Sequence, residues 1–222
     1  MLQPAQRRGL AEEAADRVRE EIFAGRIPPG SALREVELAA SLQVSRGSVR
    51  EGLAMLEREG LVRSVWHKGT RVIELTEEDV EEVYAVRAAL DRLAATTAAT
   101  KATPGQLGEL DRLVEDMAAE RDALRLLRLD LAFHEVVYRA AGNRRLLEAW
   151  HAVRSQVRLF QSHRIRFEQA EYRARVAGEH RELARLLRAG DAARLADVAE
   201  EHVHSARRAL LEGLTRRPHA AT

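Results

Sequence analysis

The chain has 222 residues, with 36 Lys and Arg against 35 Asp and Glu, for a formal net charge of +1. It contains no cysteine, which excludes a disulfide framework and a thiolate metal site. No apolar run approaches bilayer length, and Met1 to Ala24 lacks the apolar core of a signal peptide, so the expected compartment is the cytoplasm, with no membrane partner. With charges this balanced, any basic surface for nucleic acid must be local. Aromatics make up only 4%, and the abundance of Ala, Leu, Glu and Arg favours helices over a β-sandwich.

Ala15, Val18 and Ile22 recur at helical spacing, so Leu10 to Ala24 reads as a first helix, closed by Gly25 in the left-handed cap position. "IPPGSAL" reads as a turn, with Pro29-Gly30 suited to type II geometry. Leu38, Ala39 and Leu42 give a short second helix. Ser45 is a candidate N-cap for a third, in which Val49, Leu53 and Leu56 share one face and Gly60 ends the run. "LVRSVWHKGTRVIEL" is rich in β-branched residues around a central Lys68-Gly69 and reads as a hairpin. Thr76, with Asp79 three residues on, starts a new helix. Only helical patterning follows, with breaks near Thr103, Ala141 and Ala189.

The expected architecture is mostly α. Residues 1–75 form a winged helix-turn-helix with a small β-hairpin wing, and residues 76–222 form an all-α bundle. In a helix-turn-helix the recognition helix enters the major groove of double-stranded DNA with its N-terminal residues at base edges. Arg46 and Arg50 lie one turn apart, off the Val49–Leu53–Leu56 stripe. Their forks suit guanine O6 and N7. Ser45 and Ser48 suit phosphates at the helix start. The wing offers His67, Lys68 and Arg71, and Gly69 allows close approach. The competing reading is that these arginines are solvated charge, paired with neighbours such as Glu51 or Glu57.

"LREVELAASLQVSRGSVREGLAMLEREGLV" resembles the N-terminal domain of GntR-type bacterial transcription regulators. That resemblance implies DNA contacts from Arg34, Ser45, Arg46, Arg50 and the wing tip at Gly69. The chain departs from the family pattern at Gly47-Ser48, where a Thr-Pro pair is common, and at Gly52, where alanine is common. Gly52 is expected to weaken the helix by about 1 kcal/mol relative to alanine.

Downstream, polar residues interrupt apolar stripes. One stripe reads Leu127, Asp130, His134, Val137, Ala141; a second reads Val176, His180, Leu183, Leu187; a third reads Leu195, Val198, His202, Ala209. Each of these histidines alone is more often a satisfied core residue. Three with one aspartate, on three stripes, point to a divalent ion, because unpaired buried charge is costly. The donor set suits zinc, nickel or another divalent ion. His151, His163 and His204 lack such spacing, and Glu135 and Glu179 flank ligand positions and are expected to face away.

The succession "DLAFHEVVYRAAGN", "EHRELARLLRAGD" and "EEHV" resembles the all-helical FCD domain of the FadR-like subfamily of GntR regulators. The resemblance implies Asp130, His134, His180 and His202 as metal ligands. It also implies a small organic or sugar acid, a carboxylic acid effector, at or beside the metal. "VRAALDRLAA" resembles that domain's first helix, which makes Arg87 and Asp91 candidates for the effector pocket. Their alternative is a plain surface ion pair. Arg154 and Arg158 are further candidates for the effector carboxylate. The expectation is a regulator that binds a palindromic operator as a homodimer and performs no chemistry. The rival is a metal-dependent hydrolase using the same Asp/His cluster, and a third reading has a purely structural metal.

Overall fold

The structure is a computed structural model that describes residues 9–67, 69–165 and 169–215. It is mostly helical, and the chain divides between Glu74 and Leu75 into two compact units.

The first unit holds α1 (Leu10–Phe23), β1 (Ala32–Leu33), α2 (Glu35–Leu42), α3 (Arg46–Arg58), β2 (Val62–Val65) and β3 (Gly69–Val72). Ser45 caps α3 as its position suggests, its Oγ accepting from Ser48 N at 3.0 Å. Gly25 and Gly60 take positive φ after α1 and α3. Val49, Leu53 and Leu56 are buried together with Val18 and Ile22.

Two features differ from the sequence reading. The stretch taken as a turn also supplies a strand. After Gly30, at φ +79, Ala32 pairs with Arg71 and Leu33 with Thr70, so the antiparallel sheet has the order β1-β3-β2. Two residues are too few to show alternation. Gly52, expected only to weaken its helix, lies where α1 and α3 approach most closely. A Cβ there would meet Ala11 O at 2.8 Å and Ala15 N at 3.1 Å, both backbone atoms. With alanines 11, 14 and 15 on the opposing face, glycine is what lets the two helices touch.

The second unit holds α4 (Glu77–Lys101), α5 (Pro104–Ala119), α6 (Ala123–Ala140), α7 (Arg144–Ile165), α8 (Gln169–Ala189) and α9 (Ala192–Thr215). Reciprocal capping boxes start α4 at Thr76/Asp79 and α5 at Thr103/Gln106, each satisfying two backbone donors that the helix leaves orphaned. Gly142 and Gly190, both at positive φ, follow α6 and α8. α4 packs most extensively on α9 and also touches α6 and α7.

The α6 and α8 stripes are buried as read. On α9 the stripe is rotated. Leu195, Ala199, Val203, Ala206 and Leu210 are buried, and His202 sits at the edge of that face. Among the described residues no helix is long and apolar enough to cross a membrane.

Candidate DNA interface and metal centre

On α3, Arg46 and Arg50 are 63% and 67% exposed, on the side opposite the buried stripe. Neither helix neighbour Glu51 nor Glu57 holds them. Both turn to Glu35 of α2: Arg50 donates to its two carboxylate oxygens at 3.1 and 3.0 Å, and Arg46 lies 3.9 Å away. Glu57 instead accepts from Ser64 N at 2.7 Å and steadies the wing. Arg34 pairs with Glu37 at 2.7 Å, again fully at the surface. Exposed pairs of this kind contribute little to stability. They leave the guanidinium groups available to a stronger anion. Ser45 and Ser48 share a 2.9 Å hydroxyl contact at the helix start. His67, at φ +59, and Gly69, at φ +74 with open space where a Cβ would sit, form the wing turn. Arg71 donates to Gly30 O at 2.9 Å, which ties it to the sheet rather than the tip. Lys68 lies outside the described residues.

In the second unit α6, α8 and α9 bring Asp130, His134, His180 and His202 together, one potential ligand atom from each lying within 4.8 Å of the others. Asp130, His134 and His180 are buried, and the His202 side chain is 8% exposed. Asp130 Oδ1 lies 3.0 Å from His180 Nε2 and 3.4 Å from His134 Nε2, and Asp130 Oδ2 accepts from the Tyr172 hydroxyl at 2.8 Å. His180 Nδ1 donates to Val176 O at 2.7 Å, which points Nε2 into the cluster.

The charges follow from these contacts. Burial would raise the pKa of Asp130, but His180 and His134 outweigh it and hold the carboxyl well below its usual range. Burial would lower that of His180, but Asp130 and the Val176 carbonyl carry it upward. His202 moves the other way. Burial dominates, and its pKa falls to about 4 despite a bond to Glu179. It is therefore a neutral imidazole across the physiological range.

Arg87 and Asp91 are not a surface pair. They are 2% and 4% exposed, with Arg87 Nε 3.3 Å from Asp91 Oδ2. Arg87 also donates to His134 Nε2 at 3.1 Å, and Asp91 accepts from Tyr138 at 2.5 Å. Burial opposes the charge on Arg87, but Asp91, Tyr84 and Asp130 more than compensate and raise its pKa. Arg154 is elsewhere: it is 46% exposed and donates to Glu135, which also holds Trp150 Nε1 and His151. Arg158 is half-buried on α7. Neither lines the two cavities beside the cluster.

The expectation for Glu179 is overturned. Its carboxylate accepts from His202 Nδ1 at 3.0 Å. Because His202 sits at the edge of its helix, an α8 residue beside the inward stripe can reach it. Gln161, Arg164 and Tyr172 were also missed. With Arg87, Asp130 and His202 they line a polar cavity of about 20 Å³, room for a single water. A second cavity of similar size, walled by Phe133, Val137, Leu183 and Leu187, lies on the apolar side of the cluster. Glu179, Glu182, Asp197 and Glu201 line an outer groove of about 430 Å³ that reaches His202.

Comparison with known proteins identifies both units. Residues 10–72 match the family described as "Bacterial regulatory proteins, gntR family", and residues 82–205, more than half of the chain, match the FCD domain. The chain belongs to the GntR family of transcriptional regulators, in its FadR-like branch with an FCD domain. Among curated GntR-type relatives, it is 36% identical over 151 residues to the "Probable D-xylose utilization operon transcriptional repressor" of Paenarthrobacter nicotinovorans, covering 67% of this chain and 66% of that one. It is 29% identical over 146 residues to the "Gluconate operon transcriptional repressor" of Bacillus licheniformis, covering 64% and 60%. The match thus spans less than two thirds of each relative's length. The solved structure of E. coli McbR/YncC superposes with a TM-score of 0.78 at 20% identity, over 93% of this chain and 99% of that one, and shares the fold. Regulators of the GntR family bind operator DNA, and FCD domains bind small-molecule effectors. No catalytic family is indicated.

The cluster in this GntR regulator fits the divalent ion that the FCD resemblance implies. Two donors on one ion, with bonds of about 2.1 Å, can lie at most about 4.2 Å apart. The observed spread needs only a small contraction. His202 offers Nε2 because its Nδ1–H is held by Glu179, and His180 offers Nε2 because its Nδ1–H is held by Val176. Arg87 donates to Nε2 of His134, and Nε2 of His180 lies 3.0 Å from Asp130 Oδ1.

Proposed function

We propose that this GntR/FCD regulator binds a palindromic operator as a homodimer and senses a small organic or sugar acid at a metal-containing pocket in its second unit. The observation that carries the sensing half is the convergence of Asp130, His134, His180 and His202 beside buried arginines. Those four residues hold the ion, zinc or nickel by donor type. The ion supplies coordination positions for a carboxylate oxygen. Arg87 supplies a charge that persists at any physiological pH, and Arg164 lines the same cavity. A cavity with room for one water does not admit a whole acid, so binding requires side chains to move. That requirement supplies the difference in affinity between two arrangements that a switch needs.

In the first unit, Arg46 and Arg50 read bases, and Arg34, Ser45, Ser48, His67, Lys68 and Gly69 support them on the backbone or in the adjoining groove. Val86 and Leu93, both 50% exposed and seven residues apart on α4, offer an apolar strip to a second copy. The names of the relatives, a xylose-operon and a gluconate-operon repressor, favour a sugar-derived acid.

The hydrolase reading is disfavoured by Glu179. Its carboxylate lies 3.0 Å from His202 Nδ1, beside the four donors. It is committed to His202 Nδ1, and although burial would raise its pKa, that bond together with the nearby charges of Arg175 and His180 lowers it, which makes it a weak base. The test is a titration of C3 to C6 hydroxy acids against the complex with a selected operator, using wild type and His180→Ala. An acid that shifts operator affinity in wild type alone supports the reading. An equal shift in both proteins replaces it with a structural metal.

A further inference from the structure

A second polar cluster lies between α6 and α7, and its members do not line the cavities beside the four donors. Glu135, next to His134 in sequence, accepts from Trp150 Nε1 and from Arg154, each at 3.0 Å, and lies 2.7 Å from His151 Nε2. Trp150 is fully buried. A buried indole N–H needs an acceptor, and a carboxylate shared with two basic side chains supplies it here. The ring fixed by this bond has two telling neighbours. Tyr138 stacks on it, with centroids 4.9 Å apart and planes 10° from parallel. The Arg87 guanidinium carbon lies 5.9 Å from its centroid, and 5.6 Å from that of Tyr84. Tyr138 in turn donates to Asp91 Oδ1 at 2.5 Å, and Asp91 Oδ2 accepts from Arg87 Nε at 3.3 Å. Two contacts that start from Trp150 therefore end on one guanidinium.

We infer that Trp150 and Tyr138 are positioning residues for acid binding: they hold the Arg87 guanidinium in place at the polar cavity, and Glu135 anchors Trp150. The inference rests on the acid-sensing reading of the second unit. An arginine recognises a carboxylate through the fixed geometry of its fork, so its angle matters as well as its charge. A guanidinium ordered before the acid arrives loses less freedom on binding it. Asp91 alone would balance the charge. Aromatic faces within about 6 Å add attraction for a cation, and they restrict the plane in which the fork can lie. Trp150, Tyr138 and Glu135 do not line the cavities, so their effect on an acid passes through Arg87 and Asp91. The Trp150 ring also lies 6.0 Å from that of His134, so affinity for the ion has to be followed alongside affinity for the acid.

The experiment uses the full chain loaded with zinc, C3 to C6 hydroxy acids with gluconate among them as probes, and calorimetry. If wild type binds none of them, the acid-sensing reading itself fails and takes the inference with it. For an acid that binds, Tyr138→Phe and Glu135→Leu are each expected to weaken affinity about tenfold, the low end of the loss when an outer partner is removed from a ligand. Glu135→Gln keeps an oxygen for the indole N–H and should retain most of the affinity. Zinc affinity should stay at the wild-type value in all three. Trp66→Phe, a change at an exposed position, leaves Trp150 as the chain's one tryptophan. In that background the acid should shift the emission of Trp150, because the cation over its face gains a counter-ion, and adding Arg87→Met should abolish the shift. Where Glu135→Leu does not fold, Tyr138→Phe decides. Wild-type acid affinity in the folded variants overturns the inference. So does a loss of zinc affinity in proportion to that for the acid, which would make the stacked pair core packing alone.

Discussion

Glu179 and His202 are joined at 3.0 Å through His202 Nδ1, so a carboxylate on one helix fixes the tautomer of a candidate ligand on the next. An outer partner of this kind orients the ring and raises its basicity. Glu179→Gln should lower affinity for zinc or nickel by about 10- to 100-fold, and His202→Ala by at least as much. His163→Ala should change nothing. Competition with a coloured chelator measures all three, and unchanged affinity in Glu179→Gln would leave the carboxylate no role in the site.

Metal uptake should release a proton near neutral pH. The pKa of His180 is raised by Asp130, so its Nε2 carries a proton that the ion must displace, whereas His202, at about 4, has none to lose. Affinity should fall as pH drops through the raised value of His180, by about tenfold per unit once that proton is fully bound. Calorimetry in buffers of different ionisation enthalpy counts the protons, and zero release at pH 7 contradicts the assignment.

Operator affinity should respond in opposite directions to the two ends of the α2–α3 ion pair. Arg50→Ala is expected to cost about 1–3 kcal/mol and relax one base preference. Glu35→Gln removes the carboxylate that competes for Arg46 and Arg50, and should tighten binding at low salt. Lys68→Ala should weaken many sequences alike. If the Arg46/Arg50 double alanine variant is folded and binds the selected duplex as wild type does, α3 does not read it.

Two glycines in the same helix should give opposite signs in urea denaturation. Gly47→Ala meets only Ser45 Oγ at 3.6 Å, an ordinary contact, and should stabilise by up to about 1 kcal/mol through helix propensity. Gly52→Ala gains the same propensity but drives a methyl into the backbone of α1. Overpacking of this kind costs about 1–3 kcal/mol, so the net effect should be destabilising. A stabilised Gly52→Ala protein would show that α1 moves aside freely.

Much of this was legible because helical periodicity tests one stripe at a time. Asp130, His134 and His180 fall on stripes that are buried, so their convergence could be expected from spacing alone. Glu179 could not. It lies one residue, about 100° of helix rotation, from the stripe, and it reaches His202 only because α9 is rotated. Arg164 and Gln161 are buried polar residues on α7, flanked by Ser162, and nothing in the local pattern marks them as facing a cavity. The need for Gly52 is invisible in α3 itself, since it depends on which residues α1 presents.

The two sides of α3 differ in how freely they can change. Arg46 and Arg50 touch only a surface carboxylate, whereas Val49, Gly52, Leu53 and Leu56 are buried. On the proposed DNA reading, replacing the exposed pair would alter what is read without disturbing what holds the helix. A regulator built this way can drift to a new operator by single substitutions while its stability stays nearly constant, and a laboratory library confined to those outward positions should keep most of its members folded.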